Sequence, residues 1–271
     1  MITTALKPEL AATLSDARLQ FHHAAQLATA AGISFLPPKA DDSHTNLEWL
    51  ASDGRLASNR IPSSTPFRIA VRAADLELSV LDANDAVLTS MALNQRTIGD
   101  AAGWLRTQLS ELGADPRLFT LSRHYEIPHH AVDDGAAFDT SRTVAFAQLA
   151  VWYGLAATVL ESMQDLSGHT SDVRCWPHHF DIAVLIDVEP GKTIGVGMEP
   201  GDFYYDEPYF YVNTTPALPS PPSVALPAGG VWHTRDWIGA VLRGSVLSAD
   251  SAAEDIRSFL VSAVAAVREL M

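Results

Sequence analysis

Apolar residues recur at steps of three and four through Leu10, Leu14, Ala17, Phe21, Ala24 and Ala28, the spacing that lines one stripe of a helix. This predicts a helix over 9–31, with Gly32 as its stop. A polar loop, Pro37-Pro38-Lys39-Ala40-Asp41-Asp42-Ser43-His44, follows. The period then changes to two. Phe67 to Val71 and Leu76 to Val80 alternate as strands with one buried face do, and Asn84-Asp85 marks a turn before a third run, Val87 to Leu93. Thr97-Ile98-Gly99-Asp100 has capping-box spacing, and Ile98, Ala102, Leu105, Leu109 and Leu112 carry a helix to Gly113.

The second half repeats this order. A helix is expected over about 141–166, then a strand from His179 to Val188. Glu189-Pro190-Gly191-Lys192 suits a type II turn, and Thr193 to Met198 is the partner strand. After Glu199-Pro200-Gly201-Asp202 comes an aromatic run, Phe203 to Val212, and a last helix is expected over 251–270. Phe67-x-Ile69-Ala70-Val71 matches Phe180-x-Ile182-Ala183-Val184 in four of five positions, a likeness short enough to arise by chance. The expected fold class is α+β, with antiparallel sheet or sheets covered by helices. The expected domain is 1–271, with pseudo-repeated helix-meander-helix halves at 1–138 and 139–271. Thr214 to Gly230, holding five of the 16 prolines, reads as a long irregular surface loop.

Composition narrows the function classes. With 18 Lys+Arg against 32 Asp+Glu, the chain carries −14 and only three lysines, which opposes general attraction to nucleic acid and to anionic membrane surfaces. Cys175 is the lone cysteine, so no intrachain disulfide can form. Thr143 to Leu160 is an 18-residue run without charge. It touches the lower limit for a membrane span, but Gln148 and Gly154 within it and Arg142 and Glu161 beside it favour a buried helix. The first residues lack a basic region followed by an apolar block, so a cytoplasmic location is expected.

Candidate chemistry rests on two His-x-carboxylate pairs. Read as a strand, the segment from His178 places His179 and Asp181 on one face, opposite His178, Phe180 and Ile182. Leu118 to Ile127, read the same way, places His124 and Glu126 with Thr120 and Ser122, opposite Phe119, Leu121, Tyr125 and Ile127. Converging strands would give two imidazoles and two carboxylates, a set suited to a divalent metal such as zinc, manganese or non-haem iron. Without metal, each pair could serve in proton transfer, or be a histidine bonded to a nearby acid.

Other positions carry weaker signals. His23 reads as a satisfied, half-buried core histidine, and His129-His130 as part of a solvated acidic loop. His44 is a site candidate in a context too polar for core, and His233 could contact a ligand beside the Pro-rich loop. Gly195 and Gly197 leave one strand face bare, which marks a close approach. Tyr204, Tyr205, Asp206, Glu207 and Trp176 could form an aromatic wall for a small molecule.

At Cys175-Trp176-Pro177-His178-His179-Phe180-Asp181-Ile182-Ala183 and Tyr205-Asp206-Glu207-Pro208-Tyr209-Phe210-Tyr211 the chain resembles an uncharacterised bacterial family, a domain of unknown function with a W-x-x-x-F-D-L-A-like strand. Phe21-His22-His23-Ala24-Ala25-Gln26-Leu27, Glu126-Ile127-Pro128 and Phe138-Asp139 stand in compatible order, although His22-His23 departs from the expected His followed by an apolar pair. The resemblance implies a bacterial intracellular single-domain protein and assigns no catalytic role. Three expectations follow: an enzyme acting on a small polar molecule through His179, Asp181, His124 and Glu126; a non-catalytic binder using the tyrosine-rich segment; or an assembly subunit. The sequence leaves the oligomeric state open.

Overall fold

The computed structural model describes residues 6–163 and 169–271. The chain divides into two compact units. One, the α1 unit, comprises Asp16–Ala150 and Cys175–Phe180; the other, the α4 unit, comprises Met1–Ser15, Val151–Arg174 and Asp181–Met271. The α+β class is as expected, with four α-helices and eleven strands among the described residues and antiparallel strand pairing throughout.

The α1 unit is built on α1 (Ser15–Phe35) and a meander of β1 (Leu47–Leu50), β2 (Arg55–Ser58), β3 (Arg68–Arg72), β4 (Glu77–Leu81) and β5 (Val87–Ala92). β6 (Arg174–Trp176) joins β1 through Leu47 and Cys175, so the strand order is β6-β1-β2-β3-β4-β5. The three expected runs become β3, β4 and β5, in register Ile69–Val80 and Ser79–Ser90. β1 and β2 were not anticipated, although Asp53-Gly54 between them is a hairpin signal and Gly54 has φ +71°. Arg55 hides the pattern: it is buried, bonded to Ser79 Oγ at 2.6 Å and to Glu77 Oε1 at 2.8 Å.

α2 (Ile98–Glu111) starts at the expected capping box, in which Thr97 Oγ1 accepts from the Asp100 amide and Asp100 accepts from the Thr97 amide. The long segment from Ala114 to Thr140 then runs without a strand ladder. In the α4 unit, β7 (Asp181–Glu189), β8 (Lys192–Glu199), β9 (Tyr209–Thr215), β10 (Val231–His233) and β11 (Gly239–Arg243) lie in the order β10-β11-β9-β8-β7, packed by α4 (Ala252–Arg268). Gly191 has φ +80°, as position i+2 of a type II turn requires. The close approach at Gly195 and Gly197 is made first by side chains of β9: Asn213 Oδ1 and Tyr211 Oη occupy the space that a Cβ would take.

α3 (Thr143–Met163) covers most of the uncharged run, and the border between the units falls within it. It is long and apolar enough to cross a membrane by length and composition, and half of its 18-residue window is buried. The expected extension to 166 and the first five residues lie outside the described residues.

Candidate functional site

The decisive departure from expectation is α1. Instead of one apolar stripe, nearly every residue from Ala17 to Gly32 is buried, including Arg18, Gln20, His22, His23, Gln26 and Thr29. Buried polar groups need partners, and Gln20, His22, His23 and Gln26 of α1 find them on stretches of chain that lack ladder partners of their own. Gln20 donates to the Asp139 carbonyl at 3.1 Å and accepts from the Asp139 amide at 2.8 Å. His22 Nε2 and Gln26 Nε2 both donate to the Pro177 carbonyl, at 2.8 and 3.0 Å, and Gln26 Oε1 accepts from Tyr125 at 2.9 Å. His23 Nε2 donates to the Pro128 carbonyl at 3.0 Å.

A carbonyl can only accept, so these bonds place the ring proton of His22 and of His23 on Nε2. Burial holds both below the ordinary histidine range; for His22, stacked on Phe180 with centroids 4.4 Å apart, the pKa falls to about 3. In the neutral ring of His23, Nδ1 is then an acceptor. It has no hydrogen-bond partner among the described residues, and the nearest carboxylate oxygen given, Asp133 Oδ1, lies 3.8 Å away.

His23 lines a cavity of about 310 Å³. Leu27, Leu121 and Val132 give it apolar walls, Ile98 and Gly99 at the start of α2 also line it, and Gln26, Arg123 and Asp133 belong to the polar lining. A mostly apolar concavity with a few fixed polar groups is the usual form of a small-molecule site. Arg123 is 22% exposed, makes no hydrogen bond among the described residues, and has Asp133 Oδ1 at 3.8 Å from Nη2. Asp133 thus stands between an arginine and a buried imidazole at Coulombic range, too far from either for a hydrogen bond. It is carried by a 3₁₀ turn, Ala131–Asp134, closed by Gly135 at φ +92°. His130 secures that turn by donating from Nε2 to Asp16 at 3.2 Å and accepting at Nδ1 from the Val132 amide.

The structure distributes the expected site residues differently. His178 and His179 lie in a turn rather than a strand, and Phe180 at φ +72° breaks the alternation before β7 begins at Asp181. His179 and Asp181 therefore do not form the expected same-face pair: His179 belongs to the α1 unit, Asp181 to the α4 unit, where it accepts from Tyr211 Oη. The segment from Leu118 to Ile127 is extended but unpaired. Its alternation holds, with Leu121, Arg123, Tyr125 and Ile127 turned inward and Ser122, His124 and Glu126 exposed. His124 bonds Asp42 at 3.0 Å rather than pairing with Glu126. His124, Asp42 and His179 all act electrostatically on His178, whose ring centroid lies 4.4 Å from that of His179 and 5.8 Å from that of Tyr125. The two histidine pairs thus share a neighbourhood in part, but among the described residues no three His, Cys, Asp or Glu side chains are grouped to hold a metal ion.

The remaining candidates are engaged in the protein itself. His44 is buried despite its polar context: its Nδ1 accepts from the Lys39 amide, and its carbonyl would lie 2.3 Å from a Cβ on Gly32. Trp176 is half-buried near His178. In the α4 unit, His233 donates from Nε2 to the Arg235 carbonyl at 2.6 Å and accepts at Nδ1 from Tyr205 at 2.8 Å, while stacking on Trp237. Arg235 lies over the Tyr204 ring at 4.9 Å and over exposed Phe203 at 5.4 Å. Glu207 accepts from the Ser245 amide at 2.7 Å, and Asp206 is exposed.

His23 is thus a core histidine as expected, but fully buried and satisfied at Nε2 only, and Arg123 joins the cavity although no local motif singles it out. The sequence does hold a signal for both: α1 has too many polar residues off its apolar stripe for a surface helix, and Arg123 interrupts the apolar face of an alternating segment. No family model, curated protein or solved structure matches the chain.

Proposed function

We propose that the chain is an enzyme acting on a small polar molecule bound in the His23 cavity. The observation that carries this reading is the buried, neutral imidazole of His23, which lines a cavity together with Arg123 and Asp133 and whose Nδ1 has no hydrogen-bond partner among the described residues. A general base needs an available lone pair at neutral pH, and burial keeps this one unprotonated. In the proposed step Nδ1 takes a proton from an O–H or N–H of the bound molecule, and the bonding pair stays on the substrate atom. Nε2 keeps its proton and its bond to Pro128, while Asp133 offsets the charge of the new imidazolium and Arg123 that of the new anion. The site thus moves from the His179, Asp181, His124 and Glu126 set to one centred on α1. The proposed location of the chain is cytoplasmic.

Ligand-observed NMR and turnover assays with a library of small alcohols, acids and amines test this. Hits should vanish in Ile98→Trp, which fills the cavity from a half-buried position, and His23→Gln should bind them without converting them. If no compound's binding or conversion responds to either change in folded protein, the reading is wrong. A second reading, a non-catalytic binder, is favoured by the Phe203, Tyr204 and Trp237 cluster in the α4 unit, where Arg235 already lies over two rings. It expects binding that falls when Tyr204 is truncated and is indifferent to His23.

A further inference from the structure

The cavity wall carries more information about its ligand than its size alone. A volume of about 310 Å³ lies at the small end of the roughly 300–1,000 Å³ range of ligand pockets, which sets the ligand at a small metabolite's scale. Three features of the lining are chemically incomplete within the protein. The guanidinium of Arg123, mostly buried, makes no hydrogen bond among the described residues. α2 opens with Ile98 and Gly99 on the cavity; its capping box uses the Asp100 amide, and the amides of the two lining residues belong to the first turn, which has no intrahelical acceptors. The Nδ1 acceptor of His23, in a side chain 1% exposed, has no donor among the described residues.

The first two features attract negative charge: an arginine fork fits a planar oxyanion, and a helix start presents N–H groups with a partial positive charge. The third asks for a hydrogen-bond donor. Gln26 supplies neither, because its amide donates to Pro177 and accepts from Tyr125. The chain's net charge of −14 gives no general attraction for anions, so any oxyanion held here is held by this local anchor.

Resting on the functional reading above, we infer that the ligand is a small oxyanion that also carries a hydroxyl, such as a hydroxycarboxylate or a phosphate monoester, with its anionic group between Arg123 and the start of α2 and its hydroxyl donating to His23 Nδ1. Asp133, 3.8 Å from both Arg123 and His23, stands where it opposes that anion electrostatically. Its side chain is 42% exposed, so it sits at the rim and can be replaced without opening the core.

Calorimetric titration with glycolate, acetate and inorganic phosphate, in chloride buffer at constant ionic strength, tests the assignment. Glycolate should bind more tightly than acetate. Its affinity should fall about tenfold or more in Arg123→Gln and rise severalfold in Asp133→Asn. His23→Gln keeps a donor for Pro128 but removes Nδ1, and should reduce the preference for glycolate over acetate while leaving acetate binding in place. Tight phosphate binding with weak glycolate binding would assign the anionic group as phosphoryl rather than carboxylate within the same inference. If no anion binds at millimolar concentration, or binding is unchanged in both Arg123→Gln and Asp133→Asn, the inference is overturned. Binding of a neutral probe such as glycerol, lost in Ile98→Trp, would then leave the functional reading standing. Conversely, anion binding that depends on Arg123, with conversion of every hydroxylated ligand unaffected by His23→Gln, would remove the catalytic reading and leave this one.

Discussion

Lowering the pH should destabilise the protein through His22 in particular. Burial is the main reason that its folded-state pKa falls from 6.5 to about 3; the Pro177 carbonyl opposes the fall, and His23, Arg123 and Arg18 add to it. The unfolded chain binds a proton near pH 6.5 that the folded chain refuses until about pH 3. The stabilisation is therefore whole above pH 6.5 and is lost as pH falls through the window between these values. At about 1.36 kcal/mol per pH unit the full window is worth about 5 kcal/mol, and the part between pH 6.5 and a working pH of about 4.5 is worth about 3 kcal/mol. His22→Gln can still donate to Pro177 but does not titrate. Urea unfolding of both proteins at neutral pH and near pH 4.5 isolates the effect, since every other titrating group is common to the two. The wild type should lose about 2 to 3 kcal/mol more than the variant over this interval, whatever the variant's stability at neutral pH. Equal losses would refute the reasoning, because they would mean that the His22 site admits a proton as readily as water does.

Other consequences follow from close contacts. Gly197→Val would drive side-chain atoms into Tyr211 Oη and the Ile182 carbonyl, each within 2.8 Å of the Cβ position, and should cost about 1 to 3 kcal/mol or more in thermal unfolding. Thr97→Ala removes one half of the α2 capping box and should cost about 1 kcal/mol in urea. Arg55→Leu removes a buried guanidinium whose partners Asp53 and Glu77 are partly exposed; a loss of about 2 to 4 kcal/mol is expected, and a neutral outcome would mean that the carboxylates rehydrate fully.

Much of the scaffold was readable because its signals are local. The Thr97 cap, the Pro190-Gly191 turn and the β3–β4–β5 alternation each depend on a few adjacent residues. The hairpin of β1 and β2 escaped because Arg55 and Ser58 occupy buried positions that a polarity pattern assigns to solvent. The site escaped for a related reason. The bond from His23 to Pro128 spans 105 residues and the bond from His22 to Pro177 spans 155, so no local pattern announces that the polar residues of α1 serve unpaired backbone elsewhere. At His178-His179 the period of two does not hold, because one left-handed residue, Phe180, ends the strand before the histidines. From Leu121 to Ile127 side chains alternate between faces even though no ladder forms.

The protonation state of His23 bears most directly on the proposed chemistry. Long-range proton–nitrogen correlation NMR of nitrogen-labelled protein, with His23→Gln to assign the signal, reads both ring nitrogens. A neutral ring with its proton on Nε2 and a bare Nδ1, persisting as the pH is lowered through the ordinary histidine range, is the expected result. A ring protonated on both nitrogens at neutral pH, or carrying its proton on Nδ1, would contradict the account: His23 would then be a fixed partner of Asp133 and could not act as the base of this cavity.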